Sequence, residues 1–305
     1  MTRAVALFLY NRPDLTARVF EAITAARPRV LFLLADGPNP SQPDDRERCE
    51  GARQAVERVD WQCEVIRDFS PNHLGQRQRV ESGFAIVFDA VAEAILLEDD
   101  TLPSPDFFRF CEGLLEFHRN DTRVLSIGGS ALHLGRSGLL ESYAFSRYPC
   151  SGGWATWKRA ITSYDPHRRH PKNAPDTLTW LEQHLGDPIA AKYWAHLFES
   201  SAPEGPSWDY IWTRSGFLQD GLHAIPRWNL ISNLGFREDA TVTRRPCEFS
   251  ALPLEPLDGP LGPQRVERSA ELDAILEDTV YSGHLRRALS RVRELTSQRR
   301  RARSQ

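Results

Sequence analysis

Three consecutive carboxylates, Glu98, Asp99 and Asp100, directly follow the apolar run AILL. Neighbouring carboxylates repel one another unless a cation or hydrogen-bond donors neutralise them. Hard divalent cations such as Mg²⁺ and Mn²⁺ take carboxylate oxygens and nucleotide phosphate oxygens as ligands together. The triplet therefore predicts a site for Mn²⁺ or Mg²⁺ carrying a diphosphate. The alternative is an acidic turn in which an aspartate caps the helix that begins near SPDFF.

Other polar residues follow the first two apolar runs of the chain. Asn11 and Arg12 come after AVALFLY, and Asp36 and Gly37 come after VLFLLA. A guanidinium matches two phosphate oxygens, so Arg12, and Arg77 further along, are candidates to bind a diphosphate. Asp36 is a candidate acceptor of hydrogen bonds from a nucleobase or ribose. Each has a simpler alternative, because Asp-Gly is a common turn after a strand and a single arginine is often a solvated surface residue.

Asp209 is the candidate general base. It lies between Trp208 and Tyr210, and apolar neighbours raise the pKa of a carboxyl group toward that of a working base. The alternative is a hydrogen-bonded structural aspartate.

The elements that must position these residues alternate along the first half of the chain. Apolar runs at 4–10, 30–34 and 94–97 predict buried strands, and helical spacing at 14–26, 44–59 and 80–91 predicts helices between them. This alternation predicts an α/β fold: a mostly parallel, Rossmann-like sheet with helices on both faces. Ligands bind outside the carboxyl ends of such strands, so the residues at those ends are the candidates to bind a nucleotide sugar: Asn11, Arg12, Asp36, Gly37 and the acidic triplet. Neither GxGxxG nor a P-loop motif occurs.

The second half of the chain has a different character. Residues 130–240 are rich in Gly, Trp, Pro and Ser, and five tryptophans fall in CSGGWATW, GPSWDYIW and IPRWNLISNLGF. Aromatic rings on loops would offer flat apolar surfaces to sugars. We therefore expect a donor-binding half at 1–129, a loop-rich acceptor-binding and catalytic half at 130–245, a linker at 246–268 and a helical basic tail at 269–305.

The charge distribution and the cysteine content limit the partners and the cellular location expected of this protein. The 305 residues carry a net charge of −3, but residues 284–305 contain eight Arg and one Glu, so the tail is basic and the remainder acidic. Nucleic-acid binding needs a basic face on the folded part, so a nucleic-acid partner is not expected. Five widely spaced cysteines, no membrane-spanning run and no signal peptide predict a cytoplasmic protein.

The basic tail also has an apolar stripe. Leu285, Leu289, Val292 and Leu295 recur at helical spacing, so the tail could lie on the inner face of an anionic membrane. The alternative is a short helix that packs Leu285 and Leu289 on its own domain, followed by a disordered end.

The order of ALFLYNRPDLT, LLADG, ILLEDDTLPSPDFFRF, CSGGWATW, SWDYIW and IPRWNLISNLGF resembles nucleotide-sugar glycosyltransferases of the GT-A fold over about residues 3–240. The resemblance is to the bacterial hemolytic-protein-like glycosyltransferases and, more distantly, to the eukaryotic N-acetylglucosaminyltransferases that start complex N-glycans. The tail beyond about residue 245 has no counterpart there. Arg77 stands where the relatives use other polar groups.

The resemblance implies roles for individual residues. It implies that Asp100 binds the metal, with Glu98 and Asp99 near the ribose or sugar. It further assigns Arg12 and Asp36 to the nucleotide. On the acceptor side, the matching residues are Gly153, Trp154 and Trp208, with Asp209 as the catalytic base.

The expected function is that of an inverting, metal-dependent glycosyltransferase. Its partners would be a nucleotide-diphosphate sugar and a saccharide, lipid-linked or other hydroxyl acceptor. Two alternatives stay open: a sugar-nucleotide pyrophosphorylase, although ALFLYNRPD lacks the Gly-rich loop of that class, and a non-catalytic saccharide-binding protein on the same fold.

Overall fold

The computed structural model describes residues 4–200, 205–238, 245–262, 264–283, 285–287 and 289. The strands in this part of the chain are β1 (Ala4–Leu9), β2 (Val30–Ala35), β3 (Glu64–Phe69), β4 (Glu93–Glu98), β5 (Thr101–Pro103), β6 (Val124–Gly128), β7 (Tyr143–Ser146), β8 (Trp154–Trp157), β9 (Leu222–Pro226) and β10 (Ile231–Asn233). The helices are α1 (Pro13–Ala26), α2 (Asp45–Ala55), α3 (Gln76–Ala90), α4 (Pro105–Phe117), α5 (Lys158–Ile161), α6 (Thr177–Leu185), α7 (Pro188–Phe198), α8 (Trp208–Phe217) and α9 (Ala270–Thr279).

Eight of the strands form one sheet in the order β3-β2-β1-β4-β8-β6-β9-β7, and β10 pairs with β5 in a small second sheet. Strands β3, β2, β1 and β4 are parallel neighbours. Strand β8 is inserted antiparallel between β4 and β6, and β9 is parallel to β6. Strand β7 is antiparallel to β9 at the far edge. The carboxyl ends of β3, β2, β1, β4, β6 and β9 therefore share one edge, which confirms the predicted mostly parallel sheet.

Helices cover both faces of this sheet, as predicted. Alternate residues of a strand point to opposite faces. In β1, Val5, Leu7 and Leu9 pack in one apolar cluster with residues of α1, α2 and α4. Ala6 and Phe8 pack in a second cluster with residues of α3 and α8. Burial on both faces explains why β1 is apolar throughout.

Four of the five tryptophans in the motifs CSGGWATW, GPSWDYIW and IPRWNLISNLGF lie in the core. Trp154 and Trp157 belong to β8, Trp208 and Trp212 belong to α8, and each is 3% exposed or less. The rings of Trp154 and Trp208 stack with their centroids 5.9 Å apart. The prediction that these rings form exposed surfaces on loops is therefore wrong for these four, and Trp228 alone among the five is half-buried.

The Pro-rich segment 246–268 is predicted to be a linker, and its described residues, 246–262 and 264–268, include a turn at 248–251 and otherwise lack helix and strand. Its Leu257 is buried in the cluster beneath β1. The Leu257 N–H donates to Asp106 Oδ2 at 2.9 Å, and the Asn229 side-chain amide donates to the Pro253 carbonyl at 3.1 Å. These contacts attach the segment to the same body, and the division into four regions stays a prediction.

The start of the predicted tail is helix α9. Leu272 and Leu276 of α9 pack in a third apolar cluster with α6, α7 and α8. Leu285 and Leu289 are 54% and 60% exposed, so the alternative that they pack on the body is wrong. Most of the arginine-rich end, 290–305, lies outside the described residues. No helix among the described residues is long and apolar enough to cross a membrane.

Candidate active site

The acidic triplet lies in the tight turn that joins β4 to β5. The Thr101 hydroxyl closes this turn by accepting from the Glu98 N–H and donating to the Glu98 carbonyl, both at 2.9 Å. Helix α4 is capped by Ser104, whose hydroxyl accepts from the Phe107 N–H. Because Ser104 supplies the cap, capping does not account for the aspartates of the triplet.

Arg12 joins two of the three carboxylates. It follows β1, whose neighbour in the sheet is β4, so the two strand ends lie side by side. Its guanidinium contacts Asp99 Oδ1 at 2.5 Å and Asp100 Oδ2 at 2.9 Å, with only 12% of the Arg12 side chain exposed. The predicted proximity of Arg12 and the triplet is thus present in the structure.

The triplet carries more negative charge than Arg12 neutralises. Burial raises the pKa of Glu98, and the nearby Asp100 and Asp99 carboxylates raise it further, against hydrogen bonding from Gln76. Burial also raises the pKa of Asp99, although Arg12 opposes this effect. These shifts have the direction expected of carboxylates that a further cation would stabilise.

The residues present fit a divalent metal held partly by substrate phosphates. Asp100 is 16% exposed along its side chain, and among the described residues only Arg12 pairs with its carboxylate. No group of three or more His, Cys, Asp and Glu side chains in the described ranges is arranged to hold a metal. The protein would thus supply one or two carboxylates, as is common when Mg²⁺ is bound together with a diphosphate.

Asn11 and the preceding Tyr10 tie this edge of the sheet to α2. The Tyr10 N–H donates to Asp99 Oδ2 at 3.1 Å, and its hydroxyl donates to Asp45 Oδ2 at 2.5 Å. The Asn11 amide donates to the other oxygen of Asp45. Asn11 therefore holds the loop that presents Arg12, and direct contact of Asn11 with a nucleotide stays a prediction. Sequence reasoning missed Tyr10 and Asp45, which are 35 residues apart.

The Asp36 carboxylate is occupied by the protein itself. Its Oδ1 accepts from the N–H groups of Gly37 and Leu74, each at 2.8 Å, and its Oδ2 accepts from Gly75 N–H at 3.0 Å. Nδ1 of His73 lies 3.1 Å from Oδ2. Asp36 thus joins the end of β2 to the loop before α3, and its predicted role toward a nucleotide is not tested by these contacts.

Position 37 has no room for a side chain. A Cβ on Gly37 would approach the Asn72 backbone to 2.4 Å, so only glycine fits between these two loops. Gly37 is therefore needed to bring the loop before α3 against the end of β2. Direct contact of Gly37 with a nucleotide stays a prediction.

Asp209 lies in the first turn of α8, directly after Trp208, and Trp208 lines a small apolar cavity together with Glu98 of the triplet. This cavity of about 10 Å³ is lined by Glu98 from β4, Ser151, Trp154 from β8 and Trp208 from α8. The Ser207 hydroxyl donates to Asp209 Oδ1. Burial raises the pKa of Asp209, while the hydrogen bond from Ser207 lowers it, and the net shift is upward. A raised pKa makes this carboxylate a stronger proton acceptor.

Arg77 and Gly153 make structural contacts next to α8 and β8. Arg77 Nε pairs with Glu81 at 2.9 Å, and its guanidinium reaches the Pro206 carbonyl at 3.5 Å, so Arg77 lies beside the segment that leads into α8. Gly153 has a φ of +77°, and a Cβ there would approach Ile231 to 2.6 Å. Glycine is thus required where β8 begins next to β10. The assignments of Arg77 to the nucleotide and of Gly153 to the acceptor stay predictions.

Gly235 is a site residue that sequence reasoning missed. The segment 233–235 lies over the triplet, because Leu234 N–H donates to the Asp100 carbonyl at 2.8 Å. A Cβ on Gly235 would lie 2.0 Å from Asp100 Oδ2 and 3.1 Å from Arg12 Nη1. The only signal in the sequence is the motif ISNLGF, 135 residues after Asp100, which gives no indication of this contact.

Replacing Gly235 with alanine is expected to weaken nucleotide binding without unfolding the protein. The added methyl group would force Asp100 and Arg12 apart, because van der Waals contact requires more than 3 Å. Gly262→Ala is the matched control, since a Cβ at Gly262 meets no atom within 4 Å. Titration calorimetry with Mn²⁺ and nucleoside diphosphates measures the effect. Equal affinity of the Gly235→Ala and Gly262→Ala variants would show that the segment 233–235 does not belong to the site.

Comparison with known proteins finds solved structures that align at low sequence identity and low TM-score. No protein-family model matches the chain, and no curated protein matches it in sequence. Mouse xyloside xylosyltransferase 1 in its apo form aligns with 15% identity over 72% of this chain and 84% of that chain, with a TM-score of 0.36. The mannosyltransferase PcManGT from Pyrobaculum calidifontis, in complex with GDP-Man and Mn²⁺, aligns with 11% identity over 70% and 73% of the two chains and a TM-score of 0.36.

A UDP-glucose pyrophosphorylase complexed with UDP-glucose aligns with 13% identity over 57% of this chain and 82% of that chain, with a TM-score of 0.33. The aligned structures thus include both glycosyltransferases and a pyrophosphorylase. The resemblance of the motifs to two particular glycosyltransferase families stays a prediction. The function proposed below rests on the residues of the site.

Proposed function

We propose that this protein is an inverting, divalent-metal-dependent glycosyltransferase that moves a sugar from a nucleotide-diphosphate donor to a hydroxyl acceptor in bacterial glycan or glycoconjugate synthesis. The observation that carries the proposal is the pairing of Arg12 with Asp99 and Asp100 at the ligand edge of the sheet. Asp209 supports it, because the preceding residue, Trp208, lines a small cavity together with Glu98.

The donor would bind at the ends of β1, β2 and β4. Asp100, together with the diphosphate, would hold Mn²⁺ or Mg²⁺, which when bound neutralises negative charge on the departing nucleoside diphosphate. Arg12 adds a fixed positive charge at the same place. Glu98 and Asp99 would accept hydrogen bonds from ribose or sugar hydroxyls, beside a nucleoside held near Asp36.

Asp209 would act as the general base on the acceptor. Its carboxylate removes the proton from the acceptor hydroxyl as that oxygen forms a bond to the anomeric carbon. The bond from the anomeric carbon to the diphosphate breaks, and the electron pair leaves with the nucleoside diphosphate. Attack from the face opposite the leaving group inverts the anomeric configuration in one displacement.

A nucleotide-release assay tests the reaction class. Purified protein is incubated with Mn²⁺ and a panel of UDP-, GDP-, dTDP- and CMP-sugars, with and without added pyrophosphate. We expect slow release of nucleoside diphosphate from one of the UDP-, GDP- or dTDP-sugars, by transfer to water, independent of pyrophosphate, and no release of CMP from the CMP-sugars. Formation of nucleoside triphosphate only when pyrophosphate is present would identify a sugar-nucleotide pyrophosphorylase instead. Donor binding with no release under either condition would favour a non-catalytic saccharide-binding protein.

The basic tail would bring the enzyme to an anionic membrane surface that carries a lipid-linked acceptor. The exposed Leu285 and Leu289 support this proposal, together with the six arginines of residues 290–305, whereas Arg286 and Arg287 pair with carboxylates of the body. Each basic residue near an anionic surface contributes about 1 kcal/mol. We expect the full chain to sediment with vesicles that contain anionic phosphatidylglycerol, and a chain truncated after Ser282 to stay in the supernatant.

The paired substitution Leu285→Ser and Leu289→Ser separates apolar insertion from charge attraction, because it leaves every arginine in place. If the two leucines insert into the membrane, this variant should sediment with the vesicles less than the full chain does at moderate salt. Equal sedimentation of the full and truncated chains, or no sedimentation of either at low salt, would contradict a membrane role for the tail.

A further inference from the structure

A second cavity opens at the same edge of the sheet as the acidic triplet. It has a volume of about 290 Å³ and is lined by the residues that follow β9, Arg227 and Trp228, and by Leu140, Glu141 and Ser142 before β7, with Asp258 from the Pro-rich segment. Strand β9 runs in the same direction as β4, so its carboxyl end lies at the ligand edge. This volume is close to the lower end of the range for small-molecule sites, about 300 Å³.

The lining of this cavity is built by contacts between its three segments. The Arg227 N–H donates to the Ser142 carbonyl at 3.0 Å, and the Arg227 guanidinium donates to the Leu140 carbonyl at 2.9 Å while lying over the Trp228 ring. The Ser142 hydroxyl donates to the Pro260 carbonyl at 2.9 Å. The Pro-rich segment thus forms one wall, and the cavity is a defined part of the fold.

Two polar groups that line the cavity form no hydrogen bond with the described residues, and both are therefore available to a ligand. Trp228 is half-buried against the core beneath the sheet, and no described residue accepts a hydrogen bond from its indole N–H. Asp258 is exposed, and its carboxylate forms no hydrogen bond or ion pair within the ranges that the structure covers. A buried or half-buried indole N–H usually finds a partner, so both groups are suited to contact a ligand.

We propose that this cavity binds a remote part of a neutral oligosaccharide acceptor, an inference that rests on the proposed function. The chemistry favours a sugar, because hydroxyl groups donate to the carboxylates of Glu141 and Asp258 and accept from Arg227. The Trp228 indole N–H can donate to a sugar hydroxyl at the edge of the ring. The cavity has two carboxylates, those of Glu141 and Asp258, and only one guanidinium, that of Arg227. This excess of negative charge disfavours an anionic ligand.

The position of the cavity limits how far an acceptor must reach. The chain runs from Trp228 to Asn233, whose strand pairs with Thr101 directly after Asp100. Five residues span at most about 17 Å, so the cavity and the metal-binding edge are within reach of one extended ligand. An oligosaccharide of a few linked sugars is long enough to contact both places.

Ligand-observed NMR titration tests this proposal with defined probes. The probes are maltotetraose, cellotetraose, mannotetraose and N-acetylchitotetraose, with the corresponding monosaccharides and tetragalacturonate for comparison. We expect at least one neutral tetrasaccharide to bind, and the monosaccharides and tetragalacturonate to bind at least tenfold more weakly. Trp228→Ala and Asp258→Ala are each expected to weaken that binding on the order of tenfold, as for an anchor residue in a site.

Asp89→Ala is the matched control, because Asp89 is an exposed aspartate on α3, away from the cavity. Asp258→Ala removes an exposed side chain, so its fold should be retained even if Trp228→Ala fails to fold. Binding of no neutral tetrasaccharide, preference for tetragalacturonate, or binding unchanged by Asp258→Ala would overturn the proposal. Tetrasaccharide binding that depends on Asp258, in a protein that binds no nucleotide sugar, would instead refute the proposed transferase and leave this cavity as a saccharide site.

Discussion

Substituting asparagine for Asp209 is expected to lower the rate of sugar transfer by about 10²–10⁴-fold while leaving donor affinity near that of the wild type. Asparagine keeps the size of the side chain and can still accept the hydrogen bond from Ser207. It cannot take a proton from the acceptor hydroxyl. The loss should therefore fall on kcat, because the missing interaction is made only as the acceptor attacks.

The measurement is the rate of nucleotide release with a donor that binds, compared with donor affinity by calorimetry. Ser207→Ala is the matched control, because it removes the hydrogen bond to Asp209 and keeps the carboxylate. Loss of that hydrogen bond raises the pKa of Asp209 further, since the hydrogen bond lowers it in the folded protein. We expect Ser207→Ala to shift the pH profile upward with a smaller loss of rate. An Asp209→Asn variant as fast as the wild type would remove Asp209 from the role of base.

Substituting alanine for Asp100 is expected to abolish metal-dependent nucleotide binding with the fold intact. The Asp100 side chain is partly exposed, and Arg12 keeps its contact with Asp99 when Asp100 is shortened. The loss of one metal ligand should be large, because the described residues supply few others.

Equilibrium dialysis of Mn²⁺, with and without UDP and GDP, measures the effect of Asp100→Ala. Asp14→Ala is a suitable control, because Asp14 also pairs with an arginine, Arg237 at 2.6 Å, but lies in the exposed first turn of α1. Retention of Mn²⁺ and nucleotide by Asp100→Ala at the level of Asp14→Ala would show that the triplet is structural.

The sequence alone predicts those features of the fold that depend on the local pattern of apolar and polar residues. The apolar run before Glu98 and the run before Asn11 form neighbouring parallel strands, so the prediction that their polar ends meet holds for Arg12 and Asp100. The helix start at Pro13 was predictable for the same reason, because proline suits the first turn. These inferences need only periodicity and the topology of parallel sheets.

Features that depend on long-range contacts were not predictable. Nothing local shows that β8 runs antiparallel between β4 and β6, and this insertion is what buries Trp154 and stacks it on Trp208. The closure of Gly235 over Asp100 likewise joins segments far apart in the chain. Tryptophans in a Gly-rich stretch look exposed in sequence, yet the large apolar area of the indole ring favours burial once neighbouring strands cover it.

The most direct test of the central claim is calorimetric titration of the wild-type protein with UDP-, GDP-, dTDP- and CMP-sugars, in Mn²⁺ and again after EDTA. We expect one class of nucleoside-diphosphate sugar to bind in the presence of Mn²⁺ and its affinity to fall strongly when the metal is removed. Binding of no nucleotide sugar, or binding of the same affinity with and without metal, would contradict the assignment of the Arg12–Asp99–Asp100 edge as a metal-diphosphate site.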